Sequence, residues 1–427
     1  MRNKNLHLFF KIFGILLVTL YLFHISFKPF PYFFRTRLIL TIIAIFFLLR
    51  KREFVINLNI LKVVLWICAS LLPIVLTSLI NLYFETWFVQ NMVLTLIFLL
   101  SSYGIVKLMY SWQGDQFSVN DLLKYIIWSV FVHNLIATLG FVIPSFGSLL
   151  NNIQNQDENS LIVINSIVEF QSRFIGLGIG SFFTGGVITS LGLLCTSVLI
   201  VSENNKSKAL SYIMIFMFIS LTGMFIARTT LIGLLLSFAF IFSPFFKLTF
   251  TKLSFIKNIR NRSLLIISFL TMTMIPILYI GINQLIESSA FVHAFELFLS
   301  SNGESSSTNE MMKMYIFPKE LKTWFIGDGK FMDGSGYYMG TDIGYLRLIY
   351  YYGILGACLF LGQQLYCIYL VRKLSNDVII SKLFFFLTIF ILIINFKGIG
   401  DISYFLYLFL WFYILKDSRT SGIKLHP

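Results

Sequence analysis

The chain has 427 residues, of which 57% are hydrophobic and 12% charged, against roughly 45–50% and 25% in soluble domains, and that balance excludes an ordinary water-soluble globule. Its formal net charge is +14, yet no basic stretch is long or folded enough to read bases, so nucleic acid is excluded as a partner and the lysines and arginines are read as topology signals.

Apolar runs of membrane-spanning character lie at 10–27, 36–49, 60–80, 87–108, 121–143, 176–201, 208–226, 229–246, 263–286, 342–371, 379–396 and 399–416. The expectation is an all-α integral membrane protein, a single polytopic domain over 1–427 with about 12 transmembrane helices. The first run lacks a small-residue cleavage site and continues into Lys28-Pro29-Phe30-Pro31, so it is read as a span and not as a signal peptide. Cys68, Cys195, Cys358 and Cys367 all fall in apolar runs without metal-ligand spacing and are read as small buried hydrophobes. No internal repeat is evident.

With the N-terminus inside, the cytoplasmic side collects Arg2, Lys4, Arg50, Lys51, Arg52, Lys107, Lys124, Lys206, Lys208, the 247–262 cluster, Arg372, Lys373 and Lys416. The short outer loops hold Lys28, Arg35, Arg37, Arg173, Arg228 and Lys397. The positive-inside bias therefore places both termini in the cytoplasm.

Two long loops, 144–175 and 287–341, fall outside, and the chemistry is expected on that face. In the first, Leu161, Ile164 and Val168 at helical spacing predict a short amphipathic surface helix. In the second, Ser307-Thr308-Asn309-Glu310 fits a capping box. Met311, Met314, Tyr315, Pro318, Leu321 and Phe325 follow on one rough face, kinked at Pro318, and a glycine-rich stretch returns to the membrane. The loop reads as a lid over an outer-facing cavity.

Gly176-Leu-Gly178-Ile-Gly180 does not follow a strand, so it is no nucleotide fingerprint. Close helix packing and backbone contact to a ligand both remain open for it. Gly327-Asp-Gly329-Lys330 lacks P-loop spacing; it is either an anion nest or a plain turn cluster. No DxD pair, GxSxG elbow or metal-spaced His/Cys cluster occurs, and no cofactor is expected.

Arg173, Arg228, Arg347 and Lys397 all fall near the outer ends of predicted spans. Arginine grips phosphate oxygens bidentately, so the three arginines are expected to converge on an outer pyrophosphate cavity. The alternative is interfacial snorkelling or pairing with Glu169, Asp342 or Asp401. His293 is the histidine that falls in a long outer loop, as a site residue or a structural one. Asp342 opens the tenth span, where the helix dipole favours a carboxylate, or it serves as a base. Arg347 is five residues further, about 140° around a helix, so a direct Asp342–Arg347 pair is not expected.

Arg173-Phe-Ile-Gly176, Ala227-Arg-Thr-Thr-Leu-Ile-Gly233, Trp324-Phe-Ile-Gly-Asp-Gly-Lys330, Thr341-Asp-Ile-Gly-Tyr-Leu-Arg347 and Tyr352-Gly-Ile-Leu-Gly356, in this order around two long loops, resemble bacterial O-antigen and capsule polymerases of the Wzy type. The resemblance extends to topology over the whole chain, with recognisable motifs in about a fifth of it. It implies a metal-independent glycosyltransferase of the bacterial cytoplasmic membrane that joins oligosaccharide repeat units carried on undecaprenyl pyrophosphate. It implies Asp342, Arg173, Arg228 and Arg347 as catalytic residues, with Lys397, Glu169, Gly327, Gly329, Tyr345 and His293 in substrate binding. A chain-length regulator is a further partner it admits. The related O-antigen ligases typically carry His-Asn-x-Tyr-Leu where this chain has Asp342-Ile-Gly-Tyr345-Leu346, a departure that favours polymerase over ligase and tells against a histidine base. A lipid-linked oligosaccharide flippase is the competing class, since about 12 helices around a basic cavity suit it too; transporters usually show paired halves with matching broken helices.

Overall fold

The computed structural model describes residues 4–28, 30, 35–51, 57–155, 173–178, 182–243, 291, 306–334 and 336–420. The expected helix at 161–168, the span 263–286 and the basic cluster 247–262 lie outside them, as do Glu169 and His293. The described chain is about 79% helical. Its helices are α1 (Lys4–Phe23), α2 (Thr36–Lys51), α3 (Leu58–Ala69), α4 (Leu71–Asn81), α5 (Trp87–Gln113), α6 (Val119–Val142), α7 (Pro144–Ile153), α8 (Phe182–Ser202), α9 (Lys206–Ile226), α10 (Thr230–Phe242), α11 (Ser306–Lys313), α12 (Leu321–Phe325), α13 (Gly344–Leu374), α14 (Val378–Ile394) and α15 (Ser403–Thr420). A two-strand hairpin, β1 (Met332–Asp333) with β2 (Gly336–Tyr337), pairs antiparallel ahead of α13.

Among the described residues, six helical stretches are long and apolar enough to cross a membrane: Leu58–Asn81, Trp87–Gln116, Val119–Val142, Phe182–Ser202, Lys206–Ile226 and Gly344–Leu374. Four shorter apolar helices accompany them. In Leu58–Asn81 only 28% of the most apolar window is buried. Leu65, Leu72 and Leu79 are exposed there, an apolar exterior suited to lipid. The same exterior corrects the reading of the cysteines: Cys195 and Cys367 are buried, whereas Cys68 and Cys358 are exposed. An apolar run in a membrane protein has a lipid-facing side as well as a core side.

The chain divides into two compact units. Unit 1 comprises Met1–Thr36, Trp112–Gly303 and Asp377–Phe386; unit 2 comprises Arg37–Ser111, Glu304–Asn376 and Leu387–Pro427.

Unit 1 is built around α8, buried at every position from Gly185 to Val201. A helix apolar on all sides belongs in a core. Its Ser190 lies so close to Gly233 of α10 that any side chain at 233 would overlap it, the small-residue contact that lets membrane helices approach. At helix N-termini, Ser118 and Asp121 form a reciprocal capping box on α6, and Asn205 caps α9. The predicted span 176–201 begins later, at Phe182. Gly176 and Gly178 precede the helix, in a segment that threads past α1 and α6.

Unit 2 departs from the sequence reading at two helices. The predicted span 60–80 is two helices joined at Ser70. Pro73 lacks the N–H that would have bonded the carbonyl of Ala69, so the ladder opens there. Ser70 Oγ donates to the carbonyl of Ile67 at 2.6 Å. Helix α13 is broken at Tyr352 (φ −140°, ψ 27°) and Gly353 (φ 67°, ψ −175°). The second long loop also differs. Helix α11 already includes Ser306, so Ser307 lies in its first turn and is not the cap. The helix ends at Lys313, short of Pro318. Met311, Met314 and Tyr315 pack on Ile343, Leu346 and Tyr350, whereas Leu321 and Phe325 are exposed.

Candidate functional site

Unit 1 contributes two arginines. Arg173 stands at the end of the first long loop, in a segment fixed at several points. The Phe174 amide donates to the carbonyl of Phe225 at 3.1 Å, and its ring lies against Phe141 and Phe225, with centroids 4.6 and 4.8 Å away. The Gly178 amide donates to Gln154 Oε1 at 2.6 Å. His133 of α6 stacks flat on Phe23 at 3.7 Å, and its Nε2 lies 3.2 Å from the carbonyl of Leu177. Gly176 is required because a Cβ there would overlap the His133 ring, and Gly178 because its φ is +71°. The glycine stretch therefore serves close packing, of a loop on helices and not of helix on helix.

The segment carries the Arg173 guanidinium to 5.0 Å above the Phe182 ring. Arg228 sits in the turn between α9 and α10, where the Leu231 amide donates to its carbonyl. Burial first, and the Arg228 charge second, hold Arg173 below the usual arginine range. Two guanidiniums that feel one another in a partly dehydrated setting are stabilised by an anion placed between them.

Unit 2 contributes Asp342, Arg347 and Lys397, and corrects the expectation for the first two. Arg347 Nη1 donates to Asp342 Oδ1 at 2.9 Å, a direct ion pair. A separation of about 140° holds only where both residues are helical. Helix α13 starts only at Gly344, and Ile343 before it is extended (φ −66°, ψ 117°). The chain therefore doubles back at its cap and brings the carboxylate over the first turn. Arg347 is 9% exposed and clamped between two rings, with its Cζ 4.0 Å from the centroid of Phe331 and 3.6 Å from that of Tyr337. The Asp342 side chain is 44% exposed. Loss of hydration on its protein side raises its pKa above the usual carboxylate value, against the opposing pull of Arg347 and then Lys397. Lys397, in the turn after α14, thus acts on the same carboxylate. Tyr345 turns elsewhere: its hydroxyl donates to the carbonyl of Leu392 at 2.7 Å, and its ring meets Phe396.

The anion-nest reading of Gly327 and Gly329 does not hold. The amide of Gly327 donates to the carbonyl of Thr323 at 3.0 Å, that of Asp328 to Tyr350 at 2.6 Å and that of Gly329 to Tyr351 at 3.0 Å. These donors are committed, and the loop instead satisfies carbonyls that the break in α13 leaves without helical partners. Asp328 accepts from the Thr323 hydroxyl at 2.7 Å and the Tyr338 hydroxyl at 3.3 Å. Beside that carboxylate, burial pushes the Tyr338 phenol up to about 12.

Sequence reasoning missed Phe331 and Tyr337, the rings around Arg347, and His133 and Gln154, which set the Arg173 segment. The clamp has no sequence signal, because its rings come from a hairpin and a loop. The glycines at 176 and 178 were the visible trace of His133 and Phe23. No family model, no curated protein and no solved structure matches the chain.

Proposed function

We propose that the chain is a polysaccharide polymerase that extends an oligosaccharide on undecaprenyl pyrophosphate at the outer face of a bacterial cytoplasmic membrane. The observation that carries the reading is the Arg173–Arg228 pair, two guanidiniums far apart in sequence, with the Arg228 charge, after burial, helping to hold Arg173 below the usual arginine range. A pyrophosphate leaving group is the anion such a pair suits. In the reaction, an acceptor sugar hydroxyl attacks the anomeric carbon of the donor chain. The bond from that carbon to the pyrophosphate oxygen breaks, and the glycosidic bond forms. The electron pair goes to the pyrophosphate, where Arg173 and Arg228 stabilise the developing charge. The hydroxyl proton goes to a carboxylate base; taken by itself, unit 2 offers one in Asp342, whose raised pKa makes it a better base than an ordinary aspartate.

The purified chain, mixed in detergent with synthetic lipid-linked repeat units, is expected to yield a ladder of longer glycans on a gel. Arg173→Lys and Arg228→Lys, which keep charge but lose the planar fork, are expected to shorten it. A chain that extends nothing in detergent, yet moves the same units across a vesicle membrane, is a transporter and not a polymerase.

A further inference from the structure

Unit 2 holds a cavity of about 20 Å³, lined among others by Ser70, Asn91, Thr95, Tyr352, Gln363 and Asp401. That is room for one water-sized occupant. Two of these residues sit where a helix is interrupted and a third lies in a connection between helices. Ser70 joins α3 to α4, Tyr352 lies at the break in α13, and Asp401 lies between α14 and α15. Irregular backbone inside an apolar helical protein is tolerated where it is packed in protein or lines a cavity, and a carboxylate there is costly unless something pairs with it.

The hydrogen bonds decide what the cavity accepts. The Ser70 hydroxyl gives its proton to the carbonyl of Ile67 at 2.6 Å, and the Thr95 hydroxyl gives its proton to that of Asn91 at 2.8 Å. Gln363 Nε2 donates to the Tyr407 hydroxyl at 2.6 Å. Asp401 Oδ1 accepts the Ser403 amide at 2.8 Å. Ser70, Thr95, Gln363 and Asp401 thus offer oxygen lone pairs, while one Gln363 Nε2 proton and the side chains of Asn91 and Tyr352 are the lining's remaining donors. The Asp401 carboxylate disfavours an anion there, and its lone pairs together with those of Ser70, Thr95 and Gln363 favour a cation. Arg37 does not line the cavity. It acts on Asp401 through space, with its guanidinium held 4.1 Å from the centroid of the Phe98 ring and 4.9 Å from that of Tyr404.

We propose that this cavity is a binding site for one small monovalent cation, held by the Asp401 carboxylate and the oxygens of Ser70, Thr95 and Gln363. The occupant ties two helix breaks and a helix–helix connection together, so its first effect is on stability. The site is independent of the polymerase reading and stands or falls without it.

The test uses the purified full-length chain in detergent, with sodium chloride compared with choline chloride at equal ionic strength. Thermal unfolding is followed by tryptophan fluorescence, and bound radioactive sodium is counted at equilibrium. Sodium is expected to raise Tm by several degrees in a saturable manner, with one ion bound per chain and displaced by unlabelled sodium. Asp401→Asn, close to isosteric, is expected to abolish both effects, and Thr95→Val to weaken binding several-fold. Equal Tm in sodium and choline with no sodium bound to the wild-type chain overturns the proposal, whatever the variants do. Undiminished sodium binding by Asp401→Asn overturns the assignment to this cavity.

Discussion

Arg347 reaches Asp342 because the backbone changes from extended to helical between them, and that turn sets the chemistry open to both. The ion pair is half exposed at its acidic end, where such pairs contribute about 0–1 kcal/mol. Asp342→Asn is therefore expected to leave membrane abundance unchanged while chain extension falls by roughly 10²-fold, the cost of losing a general base. Full-length polymer from that variant would remove the base assignment. The raised pKa fixes the sign of the pH response. A base must be unprotonated, so extension is expected to fall as pH drops through the Asp342 pKa, above the ordinary 3.8. In Asp342→Asn the residual rate is expected to lose that limb. Stability runs the other way. The folded chain holds this proton more tightly than the unfolded chain, so Asp342 contributes stability at low pH and loses it as pH rises from the unfolded to the folded pKa. Arg347→Lys, which cannot fill the slot between Phe331 and Tyr337 with a plane, is expected to lose activity despite keeping its charge.

At the scale of elements, the break in α13 is held open from outside the helix. The amides of Asp328 and Gly329 reach the carbonyls of Tyr350 and Tyr351, and the Thr77 hydroxyl and Asn81 amide of α4 bind the carbonyls of Ile326 and Gly327 at 2.6 and 2.9 Å. Gly353 cannot carry a side chain here, because its φ is +67° and a Cβ would strike the carbonyl of Phe325. Gly353→Ala is expected to cost at least 1–3 kcal/mol, the scale of a strained backbone residue, and to show as lower membrane abundance and a lower Tm. An unchanged Tm would mean that the brace can shift to accommodate the methyl group. Gly176→Ala tests the corresponding feature in unit 1. Its Cβ overlaps His133, so the segment carrying Arg173 must move, and activity per inserted chain is expected to fall more than abundance does.

For the whole molecule, the charge distribution makes one demand that geometry alone does not. In a cysteine-free background, Asn309→Cys in the lid is expected to react with an impermeant maleimide on intact cells. Asn204→Cys, in the turn between α8 and α9, is expected to react only after permeabilisation. The reverse pattern would put the lid in the cytoplasm and remove the outer-face polymerase. The prediction rests on the lysines and arginines at 206, 208, 372 and 373, which the positive-inside rule retains in the cytoplasm.

Helix positions and membrane character were legible in the sequence because they depend on local composition: an apolar run of about 20 residues satisfies its own backbone only as a helix in lipid. Thus the runs at 87–108, 121–143 and 208–226 match α5, α6 and α9 closely. The glycines at 176, 327 and 329 were visible as special positions, but not their task, since a glycine records a close approach without naming what approaches. Only the tertiary structure decided that the Gly327–Gly329 amides serve the α13 break, that Phe331 and Tyr337 enclose Arg347, that Arg173 lies near Arg228, and that Ser70, Tyr352 and Asp401 meet at one cavity. Each joins residues whose separation along the chain carries no period, so nothing in local spacing encodes it. The Asp342–Arg347 pair is the instructive case: close in sequence, it was still misjudged, because one extended residue at a helix cap reverses what helical geometry would dictate.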